Sequence, residues 1–359
     1  MQLDVLRPAA KPPKDYPLNC WYAIAWDVEL RHELLPRRVC DTPLVMYRRL
    51  DNAPVVLSDA CWHRLLPLSK GTLVGDEVVC GYHGLRYNAA GRCTFMPSQE
   101  TINPAACVRS FPVVERYRLI WVWLGDPALA DEALIPDLHQ NHDLNWAADG
   151  KRIHARCNFK LVIDNLMDLT HETFVHSSSI GQQAVAESPF VTRHGQTMAQ
   201  VERWMCDIEP PPFWAKQLGS CDRVDRWQII RFQAPSTVTI DVGVAPTGTG
   251  APQGDRSKGV NGYVLNTMTP ETNRTCHYFW SFARDYRLSE QAITHELREG
   301  VTRIFHEDEL ILEAQQQAID DHPDRGFYDL NIDAGGVWAR KLIDEMIDRE
   351  RSLNQKEMT

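Results

Sequence analysis

No apolar run in the sequence approaches the roughly 18 residues that a helix needs to span a bilayer, which argues against a helical membrane protein. Residues 1–8 lack the apolar segment of a secretory signal peptide, so we expect the protein to stay in the cytoplasm. Lys and Arg form no concentrated stripe, and a formal net charge of −10 repels phosphate backbones. Neither nucleic acid nor a membrane is therefore an expected partner.

Disulfides are also not expected, although the chain has ten cysteines, because a long chain without an export signal usually keeps its thiols reduced. At 359 residues the chain exceeds what one hydrophobic core supports, so two domains are expected. A hydrophobic content of 43%, with eleven Trp, is typical of a folded protein.

Four cysteine and histidine residues form the most informative pattern: Cys61 and His63, then after sixteen residues Cys80 and His83. Two thiolates and two imidazoles are the ligand set of a Rieske [2Fe–2S] cluster. A structural zinc site is the alternative, since zinc also binds two Cys and two His. Zinc fingers usually separate a Cys pair from a His pair, whereas here each segment supplies one of each. Neither segment holds a spare Cys for a loop-to-loop disulfide, which favours the oxygenase type of Rieske site.

Short apolar segments surround this pattern at residues 44–47, 55–57 and 78–79, with turn residues at 51–54 and 88–91. Such alternation of short strands and turns predicts a small antiparallel domain with the ligands on loop tips.

The second half of the chain mixes helix and strand, so the fold class is predicted to be α+β. We expect a helix over residues 159–175, strands near 228–232, 238–244 and 263–268, and a long helix over 289–319. Residues 246–259 are predicted to form a mobile or lid-like loop. The predicted organisation is a flexible arm (1–16), a cluster domain (17–145), a catalytic domain (146–350) and a polar tail (351–359).

A second metal site is suggested by residues 164–176, where Asn165, Asp168 and His171 follow one face of the predicted helix. His171 and His176 are five residues apart, which excludes the H-E-x-x-H zinc motif. On a regular helix their rings diverge by roughly 140°, so they converge only if the helix ends or widens between them. The alternative is a core contact for His171 and a surface position for His176.

Asp308 is the candidate carboxylate ligand, because it falls on the apolar face of the long helix with Val301, Ile304 and Phe305. Two His and one carboxylate form the facial triad that leaves open positions on Fe(II). Glu307 and Glu309 are predicted to face solvent. The alternative for Asp308 is a buried ion pair.

These motifs resemble those of the Rieske non-haem iron aromatic oxygenases, and the similarity covers nearly the whole chain. The matching stretches are residues 80–85, 111–116, 164–182, 211–214, 225–229 and 330–337. The resemblance implies a helix-grip catalytic domain and a head-to-tail trimer. It also implies iron ligation by His171, His176 and Asp308, with Asn165 nearby but not strongly ligating.

In the same resemblance Asp168 is a carboxylate bridge between His83 of one chain and His171 of the next. Ile240 and Asn266, on strands expected to line the pocket, are candidate substrate contacts. Two departures from the family pattern lie over the cluster: Trp62 replaces the usual Pro, and residues 65–66 are Leu where small residues are common.

The function implied is that of a terminal oxygenase using O2 and electrons from NADH, delivered by a separate flavin and iron–sulfur reductase. The expected reaction is O-demethylation of a methoxylated aromatic acid, with vanillate giving protocatechuate and formaldehyde. Another methoxybenzoate or a methyl-arene is the alternative substrate. A non-enzymatic Rieske electron carrier and a zinc-stabilised binding module are the alternatives of other classes.

Overall fold

The computed structural model describes residues 15–220 and 222–357. The first part of the chain forms short strands, because turn residues interrupt its apolar runs. In chain order these are β1 (Trp21–Trp26), β2 (Leu35–Val39), β3 (Thr42–Arg48), β4 (Pro54–Ser58), β5 (Thr72–Val74), β6 (Glu77–Val79), β7 (Arg86–Tyr87), β8 (Cys93–Phe95), β9 (Val113–Arg116) and β10 (Leu119–Trp123). They pair antiparallel in three small sheets, ordered β1-β10-β9, β2-β3-β4 and β5-β6-β7-β8.

Longer strands form one antiparallel sheet of seven in the second part. They are β11 (Ala147–Ala155), β12 (Phe190–His194), β13 (Met198–Ile208), β14 (Val224–Gln233), β15 (Thr237–Pro246), β16 (Val260–Thr272) and β17 (Thr275–Arg284). Their spatial order is β11-β17-β16-β15-β14-β13-β12.

The α-helices are α1 (Phe159–Met167), α2 (Glu172–Val175), α3 (Gln183–Glu187), α4 (Pro212–Leu218), α5 (Gln291–Asp321) and α6 (Ala334–Glu357). Short 3-10 helices lie at Asp27–Glu29, Leu68–Lys70, Pro127–Leu129, Glu132–Leu134, His139–Asn141, Leu169–His171, Ala251–Gln253 and Asn331–Asp333. No helix among residues 15–220 and 222–357 has both the length and the apolar character needed to cross a bilayer.

The β1-β10-β9 sheet packs directly on the seven-stranded sheet. A buried apolar cluster joins Trp121 and Trp123 to Leu265 and Phe279 of the large sheet. The hydroxyl of Thr269 on β16 also donates to a β1 carbonyl. The two parts of the chain therefore contribute to one shared hydrophobic core. The prediction of an α+β fold is confirmed.

The predicted helix over residues 159–175 is not continuous. It ends at Met167 because Asp168 has extended backbone angles (φ −128, ψ 106) and its carboxylate accepts a hydrogen bond from the amide of Thr170. A side chain that binds a nearby backbone amide competes with the helix and caps a new one. The long helix is confirmed within two residues at each end, at Gln291–Asp321.

The strands near 228–232, 238–244 and 263–268 are present but longer than predicted. Predicted tail residues 351–357 lie in α6, and residues 358–359 are outside the described residues. Of the predicted arm, residues 1–14 lie outside the described residues, whereas Tyr16 is buried and its hydroxyl hydrogen-bonds to Asp41.

The loop over residues 246–259 is not a lid on the candidate site. Its Ala251 is fully buried, and Arg256 pairs with Asp241 at 2.8 Å and lies over the ring of Trp227. Side chains alternate between the two faces of a strand, so Trp227 faces away from the side that Arg226 and Gln228 occupy. The loop therefore packs on the face of the sheet opposite the cavity described below.

Candidate active site

The Cys61 and Cys80 loops have the same hydrogen-bond pattern. In each, the Cys amide donates to the carbonyl five residues later, and the amide four residues after the Cys donates to the Cys carbonyl. These four bonds measure 2.8 to 3.0 Å. Each loop therefore presents one Cys and one His in the same way, which suits a Rieske cluster with two thiolates on one iron and two imidazoles on the other.

The two loops bring all four predicted cluster ligands together. Cys61 and Cys80 are each 2% exposed, whereas His63 and His83 are exposed, with ring centroids 4.6 Å apart. Burial raises the pKa of the Cys80 thiol, and bound iron would hold it as a thiolate. Two inner sulfur donors and two outer imidazoles fit a Rieske cluster held at the surface of the domain.

Leu65 and Gly84 occupy the same place in the two loops, and both have left-handed backbone angles (φ 60 and 76). Glycine adopts this conformation freely, whereas a residue with a Cβ pays about 1–2 kcal/mol. Leu65 is 73% exposed, so packing within the described chain does not offset that strain.

Tyr87 is a cluster neighbour that the sequence motif did not reveal. Its hydroxyl oxygen lies 3.1 Å from the sulfur of Cys61 and 3.2 Å from the amide nitrogen of Trp62. The Trp62 side chain is 41% exposed, so it is the Trp62 backbone that contributes to this contact.

The second site forms where the helix predicted over 159–175 is interrupted. His171 ends the 3-10 helix Leu169–His171, and His176 caps α2 at its C-terminus, so a helix end separates the two histidines as their spacing required. Their ring centroids lie 5.3 Å apart. From α5, Oδ1 of Asp308 lies 3.3 Å from Nε2 of His171 and 3.1 Å from Nε2 of His176.

The ligand atoms of these three residues all lie within 4.8 Å of one another. Two imidazoles and one carboxylate fit a mononuclear iron with open positions. The prediction that Asp308 faces the core is confirmed, at 5% exposure, and the alternative of a surface position for His176 is wrong, because that residue is 1% exposed.

Each histidine is oriented by a bond to its other ring nitrogen. Nδ1 of His171 lies 2.6 Å from the backbone oxygen of Asp168, and Nδ1 of His176 lies 2.6 Å from Oε2 of Glu307. With Nδ1 donating, Nε2 is the atom free for a metal in the neutral imidazole. The Glu307 side chain is 40% exposed, in line with the prediction that it faces solvent, but its carboxylate also reaches back to His176, which the sequence did not indicate.

The site is strongly polarised. Burial alone would raise the pKa of Asp308, but hydrogen bonds and charge from His171 and His176 lower it to about 2. Burial lowers the pKa of His176, but its bonds to Asp308 and Glu307 outweigh this and raise it to about 9. In the metal-free protein a proton on His176 would therefore compensate the charge of Asp308, a part that a divalent cation takes when it is bound.

Asn165 and Asp168 take different places around this trio. Nδ2 of Asn165 donates to Oδ1 of Asp308 at 3.1 Å, so it supports a ligand. The carboxylate of Asp168 accepts a hydrogen bond from the Thr170 amide and so stabilises the end of α1. The backbone carbonyl of Asp168 accepts a hydrogen bond from Nδ1 of His171. Its role as a bridge needs a second chain and stays a prediction.

An apolar cavity opens beside the trio, between the sheet and α5. Its lining is Asn165, Leu166, Leu169, His171, Glu172, His176, Ile180, Phe213, Trp214, Arg226, Gln228, Ile240, Val242, Val264, Phe282, Val301, Ile304, Phe305 and Asp308. Ile240 lines it as predicted. Asn266 does not, because its amide is used in bonds to the carbonyl of Val238 and the hydroxyl of Tyr278.

A buried polar set on one side of the cavity was also missed from sequence. Oε2 of Glu172 accepts from Nη2 of Arg226 at 2.9 Å, and Nε2 of Gln228 donates to both Glu172 oxygens at 3.0 and 2.9 Å. All three residues are at most 5% exposed. The sequence signal for this set is that Arg226 and Gln228 share one face of β14 with the apolar residues Val224, Ile230 and Phe232.

Family models match both parts of the chain. Residues 20–112 match the Rieske [2Fe-2S] domain, and residues 155–349 match the vanillate O-demethylase oxygenase C-terminal domain. The chain belongs to the Rieske non-haem iron oxygenases. The cluster and the mononuclear iron are cofactors of this family, so both cofactor predictions are confirmed, and the carrier and zinc-module alternatives are set aside.

The similarity to other Rieske oxygenases covers almost the whole of this chain. A vanillate O-demethylase oxygenase subunit from Pseudomonas sp. (strain ATCC 19151) is 44% identical over 319 residues, which cover 88% of this chain and 97% of that protein. The toluene-4-sulfonate monooxygenase system iron-sulfur subunit TsaM1 of Comamonas testosteroni is 37% identical, covering 92% and 97%. A solved structure of dicamba monooxygenase with non-heme iron and dicamba has a TM-score of 0.80 at 32% identity, covering 93% and 98%. The substrates named for these relatives differ, so similarity alone does not fix the substrate.

Proposed function

We propose that this chain is the terminal oxygenase that O-demethylates a methoxylated aromatic acid, with vanillate as the substrate and protocatechuate and formaldehyde as the products. The observation that carries the proposal is the apolar cavity lying directly against His171, His176 and Asp308. A flat aromatic ring suits walls formed by Phe213, Phe282 and similar side chains.

We assign the cluster to Cys61, His63, Cys80 and His83 and the iron to His171, His176 and Asp308. When bound, the iron supplies the open positions at which dioxygen is activated. The chain's own part is orientation and exclusion of water. Asp168 and Glu307 hold the two imidazoles, Asn165 holds Asp308, and the apolar walls keep the methoxy group in a dry site.

The overall reaction balances with two electrons from outside the chain. One methyl ether, one O2, two electrons and two protons give one phenol, one formaldehyde and one water. Hydroxylation of the methyl carbon forms a hemiacetal, whose C–O bond breaks to release the phenol and formaldehyde.

The electrons come, in this proposal, from NADH through a separate flavin and iron–sulfur reductase. We propose a head-to-tail homotrimer in which Asp168 connects His83 of one chain to His171 of the next. The exposure of His63 and His83 at the loop tips supports transfer across a surface rather than through the core. Domain bounds of 17–145 and 146–350 are part of the same proposal, and the family matches fall within them.

The deciding experiment supplies the purified protein with a reductase, NADH and a panel of methoxylated aromatic acids, and measures formaldehyde. We expect the fastest release from vanillate. Turnover of another methoxybenzoate or hydroxylation of a methyl-arene in preference to vanillate would replace the substrate while keeping the reaction class. About three irons per two acid-labile sulfides are expected, from one two-iron cluster and one mononuclear site.

A further inference from the structure

Arg203 is a buried charge to which the proposed function gives no part. It lies on β13 directly opposite Gln228 of β14, so its side chain is on the face of the sheet that Arg226 and Gln228 share. The residue is 4% exposed, and its guanidinium carbon lies 5.4 Å from the ring centroid of Phe190. Within the part of the chain that the structure describes, Arg203 forms no direct ion pair.

The charge of Arg203 is compensated without direct contact. An arginine stays protonated in proteins, and a buried charge is unfavourable unless other charges offset it. Burial lowers the pKa of Arg203, and the carboxylates of Asp168 and Glu172 act in the opposite direction. Glu172 already pairs directly with Arg226 at 2.9 Å. Asp168 is therefore the carboxylate left to offset Arg203, which connects the sheet to the proposed bridge.

Thr170 links Arg203 to Asp168 by two hydrogen bonds. Nη2 of Arg203 donates to the hydroxyl oxygen of Thr170 at 3.2 Å, and the Thr170 amide donates to Oδ1 of Asp168 at 2.9 Å. The backbone oxygen of Asp168 in turn lies 2.6 Å from Nδ1 of His171. A continuous series of contacts therefore runs from β13 to the turn that carries the bridge carboxylate and an iron ligand.

The Asp168 carboxylate is half-buried, and only one of its oxygens is used within the chain. Oδ1 accepts from the Thr170 amide, whereas no hydrogen bond from residues 15–220 or 222–357 reaches Oδ2. Oδ2 is therefore the oxygen open to a histidine of a neighbouring chain. Because a carboxylate is planar, the bond to Oδ1 also sets the direction in which Oδ2 points.

We propose that Arg203 is a positioning residue for the transfer of electrons between chains. Through Thr170 it holds the carboxylate of Asp168 toward the cluster of the neighbouring chain. This inference rests on the bridge in the function proposed above. One electron at a time, supplied by NADH through the reductase, passes from the cluster of one chain to the iron site of the next, so the cluster is oxidised and the iron site reduced. Arg203, Thr170 and Asp168 form and break no covalent bond.

The turn needs such an anchor because it is only a short 3-10 helix, Leu169–His171, whose hydrogen-bond geometry is poorer than that of an α-helix. β13 is paired with a strand on each side, so Arg203 projects from a rigid element. A hydrogen bond from a charged donor is also stronger than one from a neutral donor. The contact with Thr170 therefore limits the motion of the turn.

Thr170→Val tests the link, because it removes the hydroxyl that accepts from Arg203 and keeps the backbone amide that binds Asp168. The measurement is the rate at which the prereduced cluster is oxidised when holoprotein with bound vanillate is mixed with O2. We expect this rate to fall about tenfold, since displacing an aligned group by about 1 Å costs up to about 100-fold. The Kd for vanillate, the iron content and the rate of cluster reduction by the reductase should stay unchanged.

Thr170→Ser keeps the hydroxyl and should restore most of the rate. Thr192→Val is the matched control, because it makes the same substitution on β12 at a hydroxyl that has no hydrogen-bond partner in the described chain. Slowing of the same size in either variant would overturn the proposal. A matching loss of iron from Thr170→Val would also overturn it, because the link would then serve the iron site and not the bridge.

Amide hydrogen exchange gives a readout without turnover. In the full chain, with the cluster present and the mononuclear iron removed, the Thr170 amide is protected by its bond to Asp168. We expect a peptide spanning residues 168–176 to exchange faster in Thr170→Val than in the wild type, whereas peptides from β13 and α5 keep their rates. Unchanged exchange over residues 168–176 would show that the link does not hold the turn and would reject its role.

Arg203→Met removes the other end of the link. If the two residues act through one contact, Arg203→Met and Thr170→Val should slow the transfer by similar factors, and the double variant should be no slower than either alone. Losses that multiply in the double variant would show independent effects and contradict the link. If Arg203→Met fails to fold, the Thr170 variants still decide the matter.

Asp168→Asn separates this proposal from the one on which it rests. Transfer at the wild-type rate in Asp168→Asn would reject the bridge and, with it, the role of Arg203. Slow transfer in Asp168→Asn with normal transfer in Thr170→Val would reject the role of Arg203 and keep the bridge. Formaldehyde release from vanillate by the wild type tests the demethylase function independently of both.

Discussion

The hydroxyl oxygen of Tyr87 lies 3.1 Å from the sulfur of Cys61 and accepts a hydrogen bond from the amide of Trp62 at 3.2 Å. A thiolate bound to iron has no proton, so with the cluster in place the Tyr87 hydroxyl donates to the sulfur. Hydrogen bonds to cluster sulfurs stabilise the more negative, reduced state and so raise the potential. Burial raises the pKa of Tyr87, which keeps the hydroxyl protonated.

Tyr87→Phe should therefore lower the reduction potential of the cluster. A hydrogen bond worth about 0.5–1.5 kcal/mol corresponds to roughly 20–60 mV for one electron. Redox titration followed by circular dichroism measures the shift. Tyr47→Phe is the control, since Tyr47 is equally buried but donates to the carbonyl of Asp76; the same shift in both variants would contradict a specific bond to Cys61.

Leu65→Gly should not destabilise the protein, and we expect its free energy of unfolding to rise by roughly 0.5–1 kcal/mol. Relief of the left-handed strain at residue 65 stabilises the folded state by about 1–2 kcal/mol. The greater conformational entropy of glycine in the unfolded chain offsets part of this stabilisation. Chemical denaturation with the cluster intact measures the difference. A loss above about 1 kcal/mol would mean that Leu65 packs against the protein despite its exposure.

Glu307→Gln should weaken retention of the mononuclear iron about 10–100-fold, because it removes the carboxylate that orients His176. Competition with an Fe(II) chelator measures the affinity, and the cluster spectrum should not change. Glu309→Gln is the matched control one residue beyond Asp308, since Glu309 pairs with His306 and not with a ligand. Similar losses in the two variants would show a general charge effect.

Iron affinity should rise with pH. The pKa of His176 is raised to about 9, above its ordinary value. Protonation of His176 therefore stabilises the metal-free protein fully below about pH 6.5, and this stabilisation is lost as the pH rises through 9. The pKa of Asp308, lowered to about 2, contributes stability above about pH 4 that is lost as pH falls toward 2.

Iron must displace the imidazole proton, so its affinity should increase about tenfold per pH unit between about pH 6.5 and 8.5. Anaerobic chelator competition on the iron-depleted protein gives the slope. Over the same pH interval the melting temperature of the metal-free protein should fall. If neither the iron affinity nor the melting temperature changes with pH, the protonation of His176 beside Asp308 is contradicted.

Asp168→Asn should keep the cluster spectrum and most of the iron, because the backbone carbonyl, not the carboxylate, binds Nδ1 of His171. The amide can still cap Thr170 through its oxygen. We expect reductase-supported cluster reduction to be normal and formaldehyde formation to be nearly abolished. Demethylation at the wild-type rate would reject the bridge between chains.

Much of the fold and of the metal chemistry could be predicted from local patterns. The Cys and His spacing at residues 61–83, the apolar face of α5 and the strand segments of the large sheet depend on residues near one another in the chain. The break at Asp168 could not be predicted from helical periodicity, because a side-chain bond to the Thr170 amide outweighs the helix there. Asn266 lies on a strand of the large sheet as predicted, but its side chain does not line the cavity, because its amide oxygen accepts a hydrogen bond from Tyr278.

The sequence by itself determined the cofactor types, because ligand chemistry depends on which residues are present and on their spacing. Only the tertiary structure decided which remote groups complete each site: Tyr87 on Cys61, Glu307 on His176, and Gln228 with Arg226 on Glu172. Hydrogen bonds of this kind join residues as many as 131 positions apart. Such pairings follow from how strands and helices pack, and no local pattern in the chain encodes them.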